Sequence, residues 1–167
     1  MEKKMIFIAG TMGVGKTTTA QELKKILPNS VLLDGDWCWD MSPFVVNDQT
    51  KTMVLDNIAY LLNNFLLCSQ FDHVIFCWVL HQREIIDMIL KKISKNDFKF
   101  YLFALTCEPK TLIQRLNADI QLGKRERDVI DRSLPRLPLY RAINACLLDT
   151  TELSAVQTAK EIAERIL

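Results

Sequence analysis

Gly10-Thr11-Met12-Gly13-Val14-Gly15-Lys16-Thr17 fits G-x-x-x-x-G-K-[ST] at every fixed position, and the apolar run Met5 to Ala9 stands directly before it. A short apolar run, a glycine-rich loop and then a helix is the context in which this pattern wraps a phosphate chain. The glycines let the backbone curl so that the amides of Gly13, Gly15, Lys16 and Thr17 point inward at the mouth of a helix. Lys16 then supplies a mobile positive charge for the β and γ phosphates, and the Thr17 hydroxyl is placed to ligate Mg²⁺. The stretch Gly10 to Thr17, with the adjoining Thr18, is therefore read as the binding loop for a nucleoside triphosphate.

Outward from that loop, strand-like and helix-like patterns alternate. The helix after the loop carries Leu23, Ile26 and Leu27 before Pro28 stops it, and Ser30 to Leu33 reads as a second buried strand. An irregular segment with Trp37, Trp39 and Pro43 precedes a helical pattern from about Gln49 to Ser69. Phe71 to Leu80 reads as a third strand, Arg83 to Ser94 as a helix and Phe98 to Thr106 as a fourth strand. Pro109 opens a helix running to about Asn117, a short strand lies near Ala145 to Leu148, and the closing helix runs from Leu153 to Leu167 with Thr151 or Ser154 as cap. This alternation predicts an α/β fold with a parallel sheet and helices on both faces.

Length and composition bound the rest. At 167 residues with 49% hydrophobic content, the chain fits one domain, residues 1–167. Its 21 basic and 20 acidic residues nearly cancel, which argues against nucleic acid or an anionic membrane as the main partner. No apolar run reaches the roughly 18 to 20 residues of a membrane span. The five cysteines show no C-x-x-C pair and read as reduced core residues of a cytoplasmic protein.

In a parallel sheet, ligands gather at the carboxyl ends of the strands, and that rule selects the chemical candidates. Asp34-Gly35-Asp36 follows the second strand. Either carboxylate there is suited to take a proton from an attacking hydroxyl or to hold a substrate hydroxyl. As plain turn chemistry, the same stretch would put Gly35 at positive φ. Trp37 and Trp39 are candidates for stacking a ring-bearing substrate, or else for packing the next helix on the core. The stretch from Asp119 to Arg136 reads as a lid. Between Lys124 and Arg141 it and its flank hold six basic and three acidic residues, including Arg125 and Arg127. Arginines closing over a triphosphate stabilise charge on the transferring phosphoryl oxygens. The third strand offers no acid at the end where a Walker B aspartate is usual, so the metal must lean on Thr17, phosphates, water and Asp34 or Asp36. His81, at the same strand end, is a weaker candidate for substrate contact.

Taken together, the phosphate loop, Asp34-Gly35-Asp36, Arg115 ahead of the arginine-bearing stretch, and the final Asp149-Thr150 resemble the small P-loop kinases related to nucleoside monophosphate kinases. Within that group the chain looks closer to gluconate kinase, adenylylsulfate kinase and the phosphotransferases acting on chloramphenicol than to adenylate kinase. The resemblance implies a five-stranded parallel sheet of order 2-3-1-4-5 and phosphoryl transfer from Mg·ATP to a small-molecule hydroxyl, by a monomer or homodimer. It assigns phosphates and metal to Lys16 and Thr17, the acceptor to Asp36, and the adenine or phosphates to Arg115. Arg125 or Arg127 becomes the lid arginine. No Asp-Gly-x-Pro-Arg element follows the third strand, and Asp119 stands where nucleotide kinases often carry a second arginine, which weakens the case for a nucleotide acceptor. A nucleoside or nucleotide kinase, and a module that binds ATP and hydrolyses it slowly or not at all, are the alternatives.

Overall fold

Along the first strand, β1 (Lys3–Ala9), the side chains part to opposite faces: Ile6 and Ile8 join one hydrophobic cluster, Met5, Phe7 and Ala9 another. Successive residues of a strand point to opposite faces, and all five are fully buried, so β1 must be a central strand covered on both sides. The computed structural model, which describes residues 2–94 and 97–167, places it there. Met1, Lys95 and Asn96 lie outside the described residues.

After β1 come α1 (Lys16–Ile26), β2 (Ser30–Asp34), a 3₁₀ turn (Gly35–Trp39), α2 (Asp48–Leu67), β3 (His73–Trp78) and α3 (Arg83–Lys91). The second half holds β4 (Phe98–Thr106), α4 (Pro109–Gln121), α5 (Val129–Ser133), a longer 3₁₀ segment (Leu134–Ala142), β5 (Cys146–Asp149) and α6 (Ala155–Ile166). The five strands are parallel in the order β2-β3-β1-β4-β5, as the resemblance implied. Leu23 of α1, Leu112 and Leu116 of α4 and Ile162 of α6 pack on the face of Ile6 and Ile8. Ile58 and Leu62 of α2, Ile86 and Ile89 of α3, and Tyr140 cover the other face.

Local chemistry sets the element ends. Asn47 caps α2 with a reciprocal box to Thr50, so the helix starts at Asp48. Of the two residues proposed to cap α6, Ser154 does so with Gln157, while the Thr151 hydroxyl turns back to Asp149. The third strand is shorter than its apolar pattern, and α4 runs a turn longer, to Gln121. The stretch expected to be a polar lid is divided: Leu122 to Asp128 is mostly exposed, whereas Val129 and Ser133 of α5 are buried. Cys77 and Cys107 are buried as expected, but Cys146 stands exposed on the edge strand β5. Among the described residues no helix is long and apolar enough to cross a membrane.

Candidate active site

The phosphate loop joins β1 to α1, and its shape is built from glycine. Gly13 and Gly15 have φ of 80° and 102°, conformations that L side chains rarely adopt. A Cβ on Gly13 would also run into Leu116 of α4. Gly15 caps α1 without any side-chain acceptor, and among the described residues the amides of Gly13, Gly15, Lys16 and Thr17 find no protein partner. A helix mouth with free amides attracts an anion. The loop is fastened from above by Thr11, whose buried hydroxyl donates to the Ser133 carbonyl at 2.8 Å. Met12 and Val14 pack into the core beneath it, and the Thr11 carbonyl receives the Lys16 ammonium at 2.9 Å.

That ammonium lies deep among protein atoms, and burial lowers its pKa to about 8, against the opposing pull of Asp36, Cys77 and Asp34. The carboxylates come from the end of β2. Asp34 is 5% exposed, accepts the Thr17 hydroxyl at 2.7 Å through Oδ2, and accepts the Asp36 amide at 3.0 Å through Oδ1. Register explains the reach: Asp34 pairs with Cys77 at the end of β3. A carboxylate thus stands one strand over from the end of β3, about 5 Å away.

Asp36 is open to solvent on one side and receives the indole N–H of Trp78 at 3.1 Å. Its pKa is raised, first by desolvation from the protein around it and then by the charge of Asp34. Gly35 between the two acids does not take positive φ. Trp78 lies against it so closely that a Cβ would enter the indole ring.

Three cavities lie around these residues. On the nucleotide side, a groove of about 370 Å³ is lined by Gly13, Lys16, Thr17, Asp119 and Arg125 among others. It shares Gly15, Thr18 and Arg115 with a smaller hollow of about 240 Å³ bounded by Thr150, Leu153 and Thr158. Arg115 is fixed where they join, donating to the Thr150 carbonyl at 2.6 Å and its hydroxyl at 3.1 Å. Arg125 pairs with Asp119 at 3.0 Å and bears electrostatically on both Lys16 and Asp36. Arg127 is exposed and lines neither cavity.

On the other side of Asp36 lies a cavity of about 690 Å³, walled by Trp37, Trp39, Phe44, Trp78 and Val79, with Arg136 at its edge. Val79 is held by the buried Tyr140, whose hydroxyl donates to its carbonyl at 2.7 Å. His81 does not line this cavity, and burial beside Arg136 lowers its pKa.

Of the residues singled out in the sequence, Lys16, Thr17, Asp34 and Asp36 converge, and Arg115 and Arg125 join them across the groove. Trp37 faces the second cavity instead. Gly10, at φ 157°, forms the approach to the loop. Trp78, Phe44 and Val46 escaped notice because a strand end and a distant loop meet only in the fold, whereas Arg136, which closes the stretch read as a lid, lines this cavity and not the groove at the phosphate loop. Trp78 alone carried a signal, as the last residue of a strand pointing at the ligand edge.

A family model for the AAA domain matches residues 6–132, a span that runs from β1 through the phosphate loop to α5. The chain belongs to the AAA domain family. Solved structures with the fold of this AAA domain include the tunicamycin resistance protein of Deinococcus radiodurans, 21% identical with a TM-score of 0.69, covering 98% of this chain and 95% of that one. A gluconokinase from Sinorhizobium meliloti is 15% identical with a TM-score of 0.63 over 98% and 95% of the two chains. The Mycobacterium tuberculosis APS kinase, solved with AMPPNP and APS, is 15% identical with a TM-score of 0.64 over 99% and 98%. These likenesses give the domain the fold of a small P-loop kinase. Among curated proteins, none matches the chain.

Proposed function

We propose that the chain transfers the γ-phosphoryl group of ATP to a hydroxyl of a small-molecule acceptor. One observation carries this reading: Asp36 lines the cavity beyond β2 while its charge bears on Lys16 of the phosphate loop. The loop amides and Lys16 hold the phosphates, and Arg115 borders the hollow left for the base. In the transfer, the acceptor oxygen bonds to the γ phosphorus as the bond to the bridging oxygen breaks, ADP leaves, and the hydroxyl proton passes to Asp36. The raised pKa of Asp36 favours that role, since a proton acceptor works best when its pKa lies nearer the working pH.

The Thr17 hydroxyl and the Asp34 carboxylate, 2.7 Å apart, form an all-oxygen pair of the kind that suits Mg²⁺. Magnesium bound there supplies charge neutralisation for the β and γ phosphates. Arg125, already in the groove, is better placed than Arg127 to meet the transferring group. A pure nucleotide-binding module needs no second cavity beside its carboxylate, and the kinase names among the similar structures agree with transfer.

The test is Asp36→Asn. Affinity for Mg·ATP should persist while transfer, read by mass of the phosphorylated product, drops by at least about a hundredfold. Normal turnover in that variant would remove Asp36 from the mechanism.

A further inference from the structure

The cavity beyond Asp36 is walled chiefly by rings. Nine residues line it, and four of them are aromatic: Trp37, Trp39, Phe44 and Trp78. Trp39 and Phe44 meet as a tilted pair with ring centroids 5.8 Å apart, forming a corner. Trp37, Phe44 and Val46 are 57%, 67% and 53% exposed, so large apolar surface is concentrated at one mouth. Surface of this kind, gathered around a concavity rather than scattered, marks a place that an apolar body covers.

Polar capacity is scarce by comparison. The charged side chains of the lining are Asp36, Asp40 and Arg136, and the Trp78 indole N–H is already given to Asp36. A polyol bringing four or five hydroxyls would leave several of them against rings, and each hydroxyl stripped of water without a partner costs about 1–3 kcal/mol. A flat ring with one or two hydroxyls loses nothing of the sort and gains from stacking.

We propose that the phosphoryl acceptor is an alcohol carried on a flat, apolar ring, seated against Trp37, Trp39 and Phe44 with its hydroxyl at Asp36. The proposal rests on the reading of Asp36 as the residue that meets the acceptor. Its volume is suitable: about 690 Å³ falls in the range of drug-sized ligand sites.

The experiment pairs ring-bearing alcohols with ring-free ones on the whole chain: 2-phenyl-1,3-propanediol with glycerol, and 4-(hydroxymethyl)benzoate with gluconate. Affinity is measured by calorimetry with Mg·AMPPNP present, and transfer from Mg·ATP by mass. Each ring-bearing alcohol should bind at least about tenfold tighter than its partner. Trp37→Ala and Phe44→Ala, both at exposed positions, should each weaken it about fivefold to tenfold. Tyr60→Ala, which removes an exposed ring of α2 outside the cavity, should change neither affinity. Equal binding of the two classes, or indifference to Trp37→Ala and Phe44→Ala, overturns the proposal. Transfer to gluconate or glycerol that ignores Trp37→Ala would keep the kinase reading and sink this one. Ring-dependent binding with no transfer to any alcohol would uphold the aromatic seat and sink the kinase reading.

Discussion

Replacing Gly35 with alanine isolates the contact that holds Asp36 in place. Gly35 has no positive φ, and at the first position of a 3₁₀ turn the backbone alone would favour alanine by about 0.5–1 kcal/mol. The obstacle is the Trp78 ring, which a Cβ would penetrate. Trp78 must then swing away. Overpacking of this kind costs about 1–3 kcal/mol, and the 3.1 Å indole bond to Asp36 is lost with it, at about 1.5 kcal/mol for a charged acceptor in a partly exposed place. After subtracting the backbone gain, Gly35→Ala should destabilise the fold by about 1.5–4 kcal/mol, and transfer should fall because Asp36 loses its partner. The assay is a double-mutant cycle followed by circular dichroism in urea. In a Trp78→Ala background the same Gly35→Ala change should be stabilising by the backbone gain alone, giving a coupling of about 2.5–4.5 kcal/mol. Additive effects, or a stabilising Gly35→Ala in the wild-type background, would refute the reasoning.

Other expectations follow from the same geometry. Tyr140→Phe keeps the buried ring but removes the 2.7 Å bond to the Val79 carbonyl, so urea unfolding should shift by about 1–1.5 kcal/mol; no shift would mean the bond is replaced. Lys16, at about 8 in place of 10.5, loses its proton within reach of ordinary buffers. Affinity for AMPPNP should weaken about tenfold between pH 7 and 9 with uptake of a proton on binding, and calorimetry in two buffers that shows a flat profile would count against it. The same shift makes the unfolded chain hold more protons between those two pKa values, so the contribution of Lys16 to stability rises as pH climbs through that window. Asp34→Asn should raise the Mg²⁺ concentration for half-maximal transfer by at least about tenfold, and an unchanged requirement would show that Asp34 is not the metal-side acid.

What could be read from the chain divides along a physical line. The phosphate loop was legible because its function is local: four positions in one short segment fix a backbone shape and a charge. The sheet was legible because buried parallel strands are continuous apolar runs, though for the same reason Met5 to Ala9 carried no sign of which residue faces which layer. Gly35 was open to misreading, since Asp-Gly suggests a positive φ, whereas the real requirement is the indole of Trp78, 43 residues further on. The resemblance singled out Arg115 and one of Arg125 and Arg127, and the structure sets Arg115 and Arg125 on the groove beside the phosphate loop, but the burial of Val129 and Ser133 beneath a charged stretch had no sign in the sequence.

The apparent gap at the end of β3 is the most instructive case. Along the chain it is an absence, a strand that ends in Cys77 and Trp78 where an acid is usual. In the sheet it is an exchange between neighbours. Because Asp34 pairs with Cys77, its carboxylate reaches the Thr17 hydroxyl from β2, and the end of β3 is free to carry an indole instead. That indole then donates to Asp36 and walls the aromatic cavity. An acid at position 78 would meet Asp36 charge to charge and leave the cavity one ring short. With a carboxylate already at the end of β2, the end of β3 carries the indole that positions the second carboxylate and walls the cavity beside it. The two aspartates and Trp78 form one device, and a substitution in any of them should be felt by the other two.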